Sequence, residues 1–203
     1  MPDSALSEAI KEAYASAPAS VVTLHTLELR HPDFTTPIRV VLNHPDTATW
    51  LALGGAEVQA AIDAMEDDDE RTAIGLVARL EDDAPANPGE MVAFIGMAFS
   101  LDLPPVENVS VPEITMTIDN VSRKITDALE EASTSQQKIE VTYRPFLSTH
   151  IDAPDMVPPL TMTLANAKAD PYQVTGSARM LDIGNKKFPL EVYTRKRFPG
   201  QTA

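Results

Sequence analysis

Residues 113–144 read EITMTIDNVSRKITDALEEASTSQQKIEVTYR. In the first seven positions Ile114, Met116 and Ile118 alternate with Glu113, Thr115, Thr117 and Asp119. That period of two is the pattern of a strand with one face on a core and the other toward water or a partner. Asp119 or Asn120 then turns the chain and caps a helix running to about Ala132. There the period becomes helical, with Val121, Ile125, Ala128, Leu129 and Ala132 on one stripe. Residues 133–137 form a polar turn, after which Ile139, Val141 and Tyr143 alternate with Glu140, Thr142 and Arg144. The stretch predicts strand, helix, strand.

The flanking sequence continues the strands. Toward the N-terminus, residues 91–103 predict a half-buried strand in which Met97, Phe99, Leu101 and Leu103 alternate with polar or small residues. Residues 21–29 and 37–42 are rich in Val, Ile, Leu and Thr, and each is followed by a His-Pro-Asp turn (31–33 and 44–46), so they predict a hairpin. A helix opens the chain, with Leu6, Ala9, Ile10, Ala13, Tyr14 and Ala17 on one face, Asp3 or Ser4 as its cap and Pro18 as its stop. Toward the C-terminus, residues 160–164 and 172–180 are strand-like, 182–185 is a turn and 190–198 is irregular. About eight strands and two clear helices result, which is a mainly β, α+β chain: a β-sandwich or barrel with an N-terminal helix and one helix between strands. The expected organisation is a single domain over 1–203 with an elaborated excursion at about 46–88. Within the excursion, residues 57–65 predict one or two helical turns and 73–80 a strand, while the acidic runs 66–70 and 81–83 predict solvated loops.

Thirty acidic against sixteen basic side chains give a net charge of −14, which opposes binding to phosphate backbones. The C-terminal Lys186, Lys187, Arg195, Lys196 and Arg197 are the one local basic cluster, read as a solvated edge or a subunit contact. The chain has no cysteine, so thiol catalysis, disulfides and iron–sulfur ligation by its side chains are excluded. No signal-peptide pattern or membrane-length apolar run is present, and the expectation is a soluble protein made in the cytoplasm without membrane anchoring.

Catalytic patterns are missing. His25, His31, His44 and His150 lack the spacing of a metal pair, and the acidic runs lack the glycine and closing glutamate of a calcium loop. No nucleophile elbow, phosphate loop or dinucleotide fingerprint occurs. Neither a catalytic residue, a cofactor nor a metal site is expected. Asp119, with Asn120 and Arg123 nearby, is the acid on the strongest secondary-structure junction; a helix cap and an Asp119–Arg123 contact explain these residues as a structural junction or a subunit contact. The single Trp50 and the few aromatics argue against a sugar- or base-stacking platform.

The words TLELRHP (26–32), PIRVV (37–41), IDNVSR (118–123) and VTYRP (141–145), with Phe188-Pro189 and Phe198-Pro199-Gly200, resemble a family of uncharacterised tail proteins of long-tailed, non-contractile bacteriophages. The resemblance covers most of the chain except about 50–87. More distantly, the order of elements is similar to the N-terminal part of the minor tail protein L type of lambda-like phages and of gene transfer agent hubs, which resembles the barrel of tail-tube proteins. The iron–sulfur segment of that type is not carried over, because this chain has no cysteine. The resemblance implies a non-enzymatic virion protein at the distal tail end, a hub or distal-tail ring of three or six copies joining tube to tip. Its implied partners are tube, distal-tail, tip or fibre and tape-measure proteins, with DNA passing through the channel without specific binding. Two other readings are a tail assembly chaperone and a receptor- or carbohydrate-binding β-sandwich.

Overall fold

The computed structural model describes residues 7–16, 21–102, 113–119, 124–133, 135, 137–170 and 172–180. Along the chain these form α1 (Glu8–Ser16), β1 (Thr23–Arg30), β2 (Ile38–Val41), α2 (Thr47–Asp63), α3 (Asp68–Thr72), β3 (Ile74–Arg79) and β4 (Met91–Gly96). Then follow β5 (Phe99–Asp102), β6 (Glu113–Asp119), α4 (Lys124–Ser133), β7 (Glu140–Leu147), β8 (Leu160–Ala169) and β9 (Gln173–Met180). The protein is mainly β, and all nine strands belong to one mixed sheet in the order β3-β4-β2-β1-β7-β8-β9-β6-β5. The predicted turn at 182–185, the tail at 190–198 and its basic cluster lie outside the described residues.

The sheet curls back on itself. β4 lies parallel to β2 at Val40↔Ile95 and Val41↔Gly96, and Met97 N donates to Val41 O at 2.9 Å. Only Met97 and Ala98 separate β4 from β5, which pairs with β6 at the opposite end of the sheet. The two ends of the run from β2 to β5 therefore meet at this bend, and of the sandwich and barrel alternatives the barrel describes the chain. Gly96 sits at the closure because a Cβ there would stand 2.7 Å from Asn43 O. The expected single strand at 91–103 is thus two strands that serve different partners.

Two cores follow from this curl. Inside the barrel lie Leu27, Leu29, Val40, Ile114, Met116, Ile118, Val141 and Met162, and α4 adds Ile125 and Ala132 to the same core. Outside, β3, β4 and α2 make a second layer in which Leu24, Val41 and Phe146 pack on Trp50, Val58, Leu76 and Phe94. Successive residues of β1, β2 and β7 are thus buried on both faces, and near-continuous burial replaces clean alternation in β1.

The helices differ from expectation in extent. α2 starts at Thr47, ten residues before the predicted turns, capped by the Asp46 carboxylate accepting from Thr49 N at 3.1 Å. It kinks at Gly55, whose φ of 54° is a left-handed conformation that a side chain disfavours. Of the acidic run at 66–70, expected as a loop, residues 68–70 form the first turn of α3, with Asp67 as its cap accepting from Asp69 N and Glu70 N. Acidic residues in a first helical turn complement the helix dipole. At α1 the cap is Ser7, whose Oγ accepts from Ile10 N at 3.2 Å; Asp3 and Ser4 lie outside the described residues. Ile10 is fully buried, whereas Ala9 of the predicted stripe is exposed. Ser7 Oγ also donates to Asp155 Oδ1 at 2.8 Å, and Asp155 Oδ2 accepts from Leu147 N at 2.9 Å, tying α1 to the end of β7. No described helix is long and apolar enough to cross a membrane.

Candidate functional site

Asp119 ends β6, half-buried, opposite Gln173, and its N–H donates to Ala98 O at 2.9 Å. Asn120 and Arg123 lie outside the described residues. Of the histidines, His44 and His150 are exposed, whereas His31 is buried. Its Nδ1 accepts from Asp33 N at 3.2 Å, and its Nε2 lies 3.3 Å from Gln137 O. His25 Nδ1 lies 2.7 Å from the Tyr143 hydroxyl, and burial lowers the His25 pKa. Among the described residues no group of three or more His, Asp or Glu side chains is placed to hold a metal ion. Trp50 is committed to the outer core and donates from Nε1 to Gly75 O at 3.0 Å.

The most concentrated chemistry is elsewhere, on the outer wall of the barrel. Register puts Thr26 opposite Arg144, Glu28 opposite Thr142 and Arg30 opposite Glu140, while Arg39 of β2 lies opposite Glu28. The polar sides of β7 and β1, which alternation alone would leave in solvent, are covered at Arg144 (0% exposed), Thr142 and Glu28 (1%). The cover is the connection between β3 and β4. From it Glu81 grips Arg144 side-on, with Nε at 2.8 Å from Oε2 and Nη2 at 2.6 Å from Oε1. Asn87, held at a φ of 55°, accepts from Arg39 Nη2 at 2.8 Å. Arg39 Nε donates to Glu28 at 2.7 Å, Arg144 Nη1 stands 3.3 Å from Glu28 Oε1, and Arg30 pairs with Glu140. The expectation that the run 81–83 is a solvated loop is therefore corrected at Glu81, because a buried arginine needs a carboxylate partner.

The electrostatics make this cluster a clamp. Burial pushes the Glu81 pKa up, but the hydrogen bonds and charge of Arg144 outweigh it and hold the carboxyl below its usual range. Burial likewise opposes the Arg144 charge, and Glu81 with Glu28 overcomes that and raises its pKa. A carboxylate held ionised in this way is a poor general acid near neutral pH. What the geometry does is fasten the outer layer to the barrel through paired charges. Sequence reasoning did not single out Glu28, Arg30, Arg39 or Arg144 as a group. Each nevertheless lies in one of the words TLELRHP, PIRVV and VTYRP, which the fold brings side by side on three adjacent strands.

A second feature lies at the other side of the barrel. β7 pairs with β8 only through Thr163, and the last bond between them is Leu164 N to Ile139 O at 2.9 Å. β8 and β9 continue together to Ala169↔Val174, past the start of β7. Residues 165–170 are exposed, and Tyr172 beside the hairpin turn is 83% exposed. Between this stretch and α4 lies an open groove of about 450 Å³, lined by apolar residues that include Leu129, Ile139, Leu164 and Ala167 and by the charged Glu130 and Lys138.

Comparison with curated proteins returns no match, and neither does comparison with solved structures. A family described as a domain of unknown function, DUF1833, matches residues 9–193, from within α1 past the end of β9, and the chain belongs to that family.

Proposed function

We propose that the protein is a structural component of the distal tail end of a long-tailed bacteriophage, a hub or ring subunit that joins tube to tip. The observation that carries the reading is the β8–β9 hairpin, which runs past β7, has no further strand on that edge of β8 among the described residues, and carries an exposed aromatic at its tip. An exposed strand edge invites another chain, and a subunit of a ring meets that demand through its neighbours. The clamp supports the same reading, since a paired set of buried charges fixes the outer layer on the barrel without leaving a reactive group. The resemblance of 26–32, 37–41, 118–123 and 141–145 to tail proteins supplies the setting, and the net charge of −14 suits a wall along which DNA passes without adhering. On this reading the protein is not an enzyme, and its partners are other tail proteins and further copies of itself.

Mass spectrometry of purified particles tests the proposal. The chain is expected in the mature virion, in far fewer copies than the tube protein. Its absence from particles, with presence in assembly intermediates, would favour the chaperone reading. A carbohydrate-binding module gains no support from Trp50, because that ring is buried.

A further inference from the structure

We draw no further inference here: the strongest candidate, the open groove between α4 and the exposed stretch of β8, is lined by apolar residues together with one acidic and one basic side chain, Glu130 and Lys138, and nothing in the structure shows what covers it.

Discussion

Replacing Arg144 by methionine tests the clamp where it is most buried. The guanidinium is 0% exposed and holds Glu81 with three close contacts while standing 3.3 Å from Glu28. Methionine fills much of the same volume without charge, so the loss comes mainly from the carboxylates left behind. Glu81, with a side chain 10% exposed, can turn toward water, whereas Glu28 at 1% keeps only Arg39 Nε at 2.7 Å. Removing one partner of a buried pair costs about 3–5 kcal/mol. For a chain of this length that corresponds to a fall in Tm of roughly 6–20 °C. Calorimetry or urea unfolding measures it, and a cycle with Glu28→Gln isolates the cause. If the unpaired Glu28 charge is responsible, the double variant loses less than the sum of the singles by about 0.5–3 kcal/mol. A single-variant loss under about 1 kcal/mol, or simple additivity, would refute the reasoning.

Three other outcomes follow from the same contacts. The Glu81 carboxyl is held below its usual range in the folded state, so its contribution is full above the ordinary glutamate pKa of about 4.3 and fades as pH falls through the lower folded value; the stability gap between wild type and Glu81→Gln should therefore shrink in acid, and a gap that widens would contradict the assignment. Gly96→Ala should destabilise by about 1–3 kcal/mol in urea unfolding, because its Cβ would meet the backbone oxygen of Asn43 at 2.7 Å and neither backbone has a rotamer with which to yield. Trp50 is the single tryptophan and is 2% exposed, so native fluorescence should be blue-shifted and resist iodide quenching until the outer layer unfolds.

The elements around residues 113–144 were legible because their information is local. Ile114, Met116 and Ile118 alternate over a core that their own strand faces, and the change of period marks α4. The hairpin β1–β2 was legible from its turn signals. What stayed hidden depends on distant pairing. Glu28 and Arg144 read as the wet side of strands, and nothing nearby reveals that a connection more than fifty residues from each reaches over them. The bend at Met97 and Ala98 was hidden for the same reason, since alternation through 91–103 runs on while the hydrogen-bond partner changes. α2 begins ten residues before the expected turns, because the helix runs on through a kink at Gly55. The end of β6 at Asp119 was legible from the end of the alternation, whereas Asn120 and Arg123 lie outside the described residues. That β8 runs on past β7 is a relation between the lengths of two strands that no single segment records.

Image reconstruction of purified particles, with this chain labelled at its exposed hairpin, tests the central claim most directly. The account predicts a closed ring of barrels at the distal end of the tail, with each β8–β9 hairpin in contact with a neighbouring protein. Label absent from the tail end, or a barrel there whose hairpin stands free in solvent, would contradict it.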